Sequence, residues 1–230
     1  RDVAPSRGLG DVYKRQLPTL REVVHIFCTS EDINNLAYAL TIKAATEQVW
    51  LPSIRALLDR LRGLAEAGAA VPMLAHTHGQ PATPVTIGKE MAVFAHRLSR
   101  QITRVEATEY LGKINGATGT WAAHVVSVPG ADWPTLARSF VEGLGLTWNP
   151  LTTQIESHDW QAELYSDVAR AGRIAHNLAT DAWTYISMDY FHQNLAAQGS
   201  TGSSTMPHKV NPIRFENAEA NLEVSNALLD

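Results

Sequence analysis

The sequence predicts an all-α protein, an elongated bundle of long helices. Three observations carry that expectation. Apolar residues recur three or four apart over several stretches of roughly 28 to 35 residues, far beyond the usual helix of about 11 to 12. Along these stripes Leu or Ile alternates with Ala, which suits close helix pairing. Few β-branched runs are left for strands, and Val71-Pro72-Met73-Leu74 is one short extended candidate.

In chain order, residues 1 to 16 show neither helical nor strand periodicity and read as a disordered or non-native leader. The rest, 17 to 230, reads as one helical domain that is incomplete at both ends, since the last helical pattern stops without a cap. A first helix runs from Asp32 to about Ala67 with stripe Leu36, Leu40, Ala44, Leu51, Ile54, Leu58 and Leu61. Thr29 or Ser30 caps it, Gly68 stops it, and Pro52 must kink or split it. A second is expected from near Pro84 to Leu111, burying Ile87, Met91, Phe94, Leu98, Ile102 and Val105. A short helix at about 132 to 144 ends at Gly145. A long one covers about 158 to 191 with stripe Leu164, Val168, Ala171, Ala175, Leu178, Ala182 and Ile186, and a last one begins near Pro212. Such helices in isolation leave apolar faces wet, so a homo-oligomer is expected.

Composition narrows the function classes. Charged residues are 18% of the 230 and the net charge is −4, so no broad basic field attracts nucleic acid. The single cysteine, Cys28, excludes an internal disulfide framework and fits a cytoplasmic protein. No apolar run approaches the ~20 residues of a membrane span, and no secretory signal is visible.

Four polar, turn-rich stretches interrupt the helices: 25–32, 75–84, 149–154 and 202–212. The last, Gly202-Ser203-Ser204-Thr205-Met206-Pro207-His208-Lys209-Val210-Asn211-Pro212, combines hydroxyls, exposed N–H groups, a cation and a carboxamide between two prolines. It can wrap an anion, with Lys209 and backbone N–H groups binding the charge and Asn211 orienting it. Ser203 and Ser204 are nucleophile, general base or oxyanion binder, or else the hydroxyls of a plain flexible linker. No G-x-S-x-G elbow surrounds them, which argues against a hydrolase. His78, in Thr77-His78-Gly79, is available for proton transfer at an unperturbed pKa near ~6.5, or is simply bonded to loop backbone. A metal held by His76, His78 and either His158 or His208 is the weaker reading, since no acidic or thiol partner has ligand spacing. Glu216 is an ordinary helix N-terminal acid or the partner that orients a histidine. Thr29-Ser30 is a cap or a carboxylate site built on one, and Gln154 a loop amide or a ligand contact. Gly112, Gly116 and Gly119 are assigned a packing role.

Loop 202–211 resembles, at every fixed position, the signature G-S-S-x-M-P-x-K-x-N of the fumarase/aspartase superfamily. With CTSEDINN (28–35), THGQPATPVTIGKEM (77–91), GKINGATGTW (112–121), WNPLTTQIE (148–156) and GSSTMPHKVNPIRFEN (202–217), the chain resembles the adenylosuccinate lyase family, in its bacterial form, over 17 to 230. The resemblance implies elimination of fumarate from adenylosuccinate and from the related succinylated imidazole-carboxamide ribotide. It implies a homotetramer with a shared helical core, active sites assembled from three subunits, and no metal or organic cofactor. By matching position, His78 is the general acid and Ser203 the general base, and Glu216 pairs with the histidine. Thr29, Ser30, Gln154, Ser204, Lys209, Val210, Asn211 and Asn217 match substrate-binding positions, and Thr77 and His25 sit in matching motifs. His76 departs from the arginine common at its position. Because the family's chain extends past both ends, this polypeptide alone is expected to be inactive. The rival readings are a superfamily lyase acting on argininosuccinate, aspartate or malate, and a non-catalytic helical assembly protein.

Overall fold

The structure, a computed structural model, describes residues 23, 25–198, 202 and 204–230. The chain is mainly helical and divides into two compact units, one of residues up to Thr46 with Glu109–Trp160, the other of Glu47–Thr108 with Gln161–Asp230.

In the first unit, α1 spans Ser30–Ala45 behind an extended N-cap, Thr29. Its buried face is Asp32, Asn35, Leu36 and Ala39. The expected stripe held at Leu36 but not at Leu40, which is 37% exposed, because two polar residues take the inward positions. A minimal parallel pair joins 111–112 to 147–148. Gly112 permits that pairing: a Cβ there would lie 2.7 Å from Leu36 Cδ2 and 3.2 Å from Val141 Cγ1, as a packing role requires. The helix expected at 132–144 spans Trp133–Gly143, capped by the Asp132 carboxylate, which accepts from Thr135 N–H. It stops at Gly145 in the left-handed region (φ +77°), and Ala137, Val141 and Leu146 fill the core. One further short helix, Ala122–Ser127, has too few residues to show a period in the sequence.

The expected 32–67 helix is interrupted by a π turn at Thr46–Trp50, and a second helix, α2, spans Leu51–Ala67 with Pro52 in its first turn. Proline donates no N–H and its ring crowds the carbonyl four residues back, so the ladder re-registers here. In the second unit α2 is followed by β1 (Pro72–Thr77), β2 (Gln80–Thr86) and α3 (Ile87–Glu106). The expected start of the second helix at Pro84 is corrected to Ile87: Pro81 and Pro84 hold β2 extended, and Thr86 is the cap, its hydroxyl accepting from Lys89 N–H at 3.1 Å. The helix also ends at Glu106 rather than Leu111. Met91, Phe94, Leu98, Ile102 and Val105 are buried, with Ile87 half-buried, as the periodicity predicts. Helices α2 and α3 approach closely where Gly88 N–H donates to Gly68 C=O at 2.9 Å; a Cβ on Gly88 would lie 2.4 Å from the Ala65 carbonyl.

The remaining strands and helices, in chain order, are β3 (Leu111–Gly112), α4 (Ala122–Ser127), α5 (Trp133–Gly143), β4 (Thr147–Trp148), α6 (Asp159–Ser187), α7 (Leu195–Gln198) and α8 (Ile213–Leu229). The long helix α6 buries Leu164, Ala171 and Ala182 of the expected stripe, but ends four residues early, at Ser187, where Asp189 turns left-handed (φ +60°). Pro212 caps α8, as expected. Helix α8 runs antiparallel to α6 and is tied to it by polar rungs: Arg173 to Asp230, His176 to Glu223 at 3.0 Å, and Thr180 and Trp183 to Glu219.

Candidate active site

In the first unit the predicted residues Thr29 and Gln154 meet. Gln154 Nε2 donates to Thr29 Oγ1 at 3.1 Å, although they lie 125 residues apart, while Ser30 is exposed at the first position of α1. His25 lies in an exposed turn ahead of them. What holds this arrangement is a carboxylate that sequence reasoning passed over. Asp32, fully buried, accepts from Lys113 Nζ at 2.8 Å, Asn115 N–H at 3.0 Å, Gly116 N–H at 3.2 Å and Thr29 N–H at 2.9 Å. Lys113 is itself fully buried. Asn35 clasps the backbone of Lys113 in both directions, accepting from its N–H at 2.8 Å and donating to its C=O at 3.0 Å. Asn115 Nδ2 reaches Thr152 Oγ1 at 2.7 Å, so loop 149–154 is tied to the same hub. The signal was weak in the sequence: Lys113 is the only charged residue in GKINGATGTW, and a lone cation in an uncharged run points to a buried partner only once its burial is known.

Two other groups flank this hub. Burial pushes the Cys28 thiol up, with Asp32 adding to the rise, so it is a poor nucleophile here. His124, 4% exposed, packs on Trp133 and Phe27 at ring separations of 4.8 and 5.2 Å, and among the described residues its Nδ1 has no hydrogen-bond partner. Burial holds its pKa below the usual histidine value, against an opposing pull from Asp32.

In the second unit, His78 is exposed at the tip of the β1–β2 hairpin. Thr77 pairs with Gln80, so His78 and Gly79 form the two-residue turn, both left-handed (φ +53° and +74°). A tight turn of this kind presents the imidazole on a fixed backbone. His76, by contrast, is engaged below the tip, its Nδ1 3.1 Å from Leu74 C=O, and Tyr190 Oη donates to that same carbonyl at 3.1 Å. Among the described residues no group of three or more His, Cys, Asp and Glu is placed to hold a metal ion.

The signature loop folds back on itself: a Cβ on Gly202 would lie 2.2 Å from the Pro207 carbonyl. Ser203, the predicted base, lies outside the described residues. Ser204 is exposed. Lys209 N–H closes a turn onto Met206 C=O at 3.0 Å, and its ammonium donates to Asn211 Oδ1 at 2.7 Å. Gln193, which sequence reasoning missed, donates from Nε2 to Val210 C=O at 2.8 Å and so fixes the loop to the segment after α6. Val210, Asn211 and Glu216 line one cavity of about 430 Å³ beside Gln193, Trp183 and Glu219. Asn217, next to Glu216 on α8, is exposed. Among the described residues Glu216 makes no hydrogen bond or ion pair with His78 in this single chain. Chemically, the loop offers a cation and an oriented amide at the start of a helix, which is a site for a carboxylate or phosphate.

Residues 6–224 match the family model described as Lyase. The chain is similar to the protein named adenylosuccinate lyase of Escherichia coli (strain K12), with 51% identity over 214 residues, 93% of this chain and 47% of that protein. It is 50% identical to the protein of the same name from Vibrio cholerae serotype O1, over the same shares. Its backbone is similar to the crystal structure of 3-carboxy-cis,cis-muconate lactonizing enzyme from Pseudomonas putida, with TM-score 0.75 and 26% identity over 96% of this chain and 48% of that one. The chain thus spans about half the length of the curated relatives it matches. Matched over nearly its whole length, the chain belongs to the family described as Lyase.

Proposed function

We propose that the chain is the central part of an adenylosuccinate lyase, one incomplete helical domain over 17–230, whose full-length form releases fumarate from adenylosuccinate and from the related succinylated ribotide. The observation that carries the reading is the signature loop, with Lys209 held on Asn211 beside Glu216, in a chain about half identical to proteins of that name. The exposed hairpin tip that bears His78 supports its role as acid.

The chemistry then runs as follows. Ser203 takes the proton from the carbon next to the leaving bond, and the electron pair left behind is held as a doubly charged aci-carboxylate. That pair forms the new C=C bond of fumarate as the C–N bond breaks, and His78 gives its proton to the departing nitrogen. Lys209, Asn211 and the loop N–H groups stabilise the charge as it develops, the kind of contribution that is often largest. The same positive surroundings lower the cost of the serine alkoxide. Thr29, Ser30, Thr77, Gln154, Ser204, Val210, Asn217 and His25 bind the substrate, and Glu216 of a neighbouring copy orients His78. No metal or organic cofactor enters these steps.

A homotetramer in the cytoplasm completes the reading. Large apolar side chains are left wet in the single chain, with Leu151 at 88%, Val126 at 83% and Leu228 at 83% exposure. Among the described residues no helix is long and apolar enough to cross a membrane. This polypeptide alone is inactive on this reading. The test is fumarate release by the full-length protein offered adenylosuccinate or argininosuccinate: turnover of the first supports the assignment, and turnover of only the second overturns it.

A further inference from the structure

Helix α8 carries Glu216 in its first turn, with Asn217 next to it, and starts two residues after Asn211. Hydrogen bonds and ion pairs tie it to α6, and the one nearest the signature loop is at Glu219. One oxygen of that carboxylate, Oε1, accepts from both Thr180 Oγ1 at 2.5 Å and Trp183 Nε1 at 2.9 Å. Glu219 and Trp183 also line the cavity shared by Val210, Asn211 and Glu216. The next rung, His176 to Glu223, lies a turn further from the loop. Two donors on one helix converging on one acceptor of another fix both the rotation and the axial position of that acceptor.

We propose that Glu219 is a positioning residue for the lyase reaction, clasping α8 to α6 so that Glu216, Asn217 and the Lys209–Asn211 end of the loop stand in working register. This rests on the function proposed above. Glu219 sits one turn from Glu216, so rotation of α8 about its axis at the lost clasp carries the glutamate and the loop end with it. Displacements of about 1 Å at a reacting site commonly cost on the order of 100-fold in rate. The hydrogen bonds, rather than the charge, do the positioning, because both donors use a single oxygen that a carboxamide also supplies.

In the full-length protein, Glu219→Ala is expected to lower kcat by about 10- to 100-fold with a smaller change in KM, and Glu219→Gln to restore it to within about threefold. Thr180→Val with Trp183→Phe removes both donors while keeping the side-chain bulk, and is expected to reproduce the alanine variant. Hydrogen–deuterium exchange over 204–217 should quicken in Glu219→Ala and return to wild type in Glu219→Gln. Wild-type rates in the alanine variant or the donor double variant, or a glutamine variant no better than alanine, overturn the proposal. Should Glu219→Ala fail to fold, the donor double variant decides alone. Should the wild-type protein release no fumarate from adenylosuccinate, the function fails, and the exchange rates still judge the clasp: unchanged exchange in the variants overturns it.

Discussion

Asp32→Asn is the substitution whose effect follows most fully from the structure. The two carboxylate oxygens divide their donors unevenly. Oδ1 accepts from Lys113 Nζ and Asn115 N–H, and Oδ2 from Thr29 N–H, with Gly116 N–H between them. An amide has one acceptor oxygen and one NH2 group. If the NH2 takes the Oδ2 position, Thr29 N–H faces a donor; if it takes the Oδ1 position, Lys113 and Asn115 do. Either way Lys113, with a fully buried side chain, loses its counter-charge. Breaking a buried pair in this manner costs about 3–5 kcal/mol, and an orphaned buried N–H about 1–3 kcal/mol where it occurs. A loss of about 3–5 kcal/mol is therefore expected, read by urea unfolding followed by far-UV circular dichroism. Lys113→Met leaves the carboxylate its backbone donors and should cost less. A loss below about 1 kcal/mol for Asp32→Asn, or the reverse order of the two variants, refutes the reasoning. The same substitution should weaken substrate binding, since Thr29 and Gln154 stand on this hub.

Three further outcomes follow from single sites. His124 is kept neutral by burial, so its stabilising contribution is full above its unfolded pKa of about 6.5 and is lost as pH falls toward the lower folded value; His124→Phe should flatten the drop in urea midpoint between roughly pH 7.5 and pH 5. Burial, with Asp181 and Glu90 nearby, pushes the Tyr185 phenol up to about 12, so its contribution is complete below an unfolded pKa of about 10 and fades as pH rises through about 12; an ultraviolet tyrosinate titration should show a late phenol that Tyr185→Phe removes. Gly88→Ala drives a methyl to 2.4 Å from the Ala65 carbonyl, and should lower stability by about 1–3 kcal/mol in thermal unfolding, whereas Gly63→Ala, with open space around it, should not.

The long helices were legible because their packing repeats every three or four residues, and the stripes of α3 and α6 show that a local period is enough. Periodicity alone extends these helices to Pro84 and Phe191, where caps, prolines and a left-handed turn outweigh it. The hairpin had a local signal, a His78-Gly79 turn between extended residues, that the helical pattern beyond Pro84 obscured. Motif residues in one loop, such as Lys209 and Asn211, could be read together because they are neighbours in sequence. The Thr29–Gln154 bond and the Asp32–Lys113 pair could not, since their partners are 125 and 81 residues apart and no period connects them. Glu219 escaped for a related reason: on a helix face it reads as one more solvated acid, and only the donors of α6 give it a task.

On the proposed function, the acid and the base of one active site come from different copies of the chain. Full-length His78→Gln and Ser203→Ala variants, each inactive alone, should regain fumarate release from adenylosuccinate when their subunits are mixed and reassembled, because some sites then hold both native groups. Mixed oligomers that form, yet stay as inactive as either parent at every ratio, contradict the account.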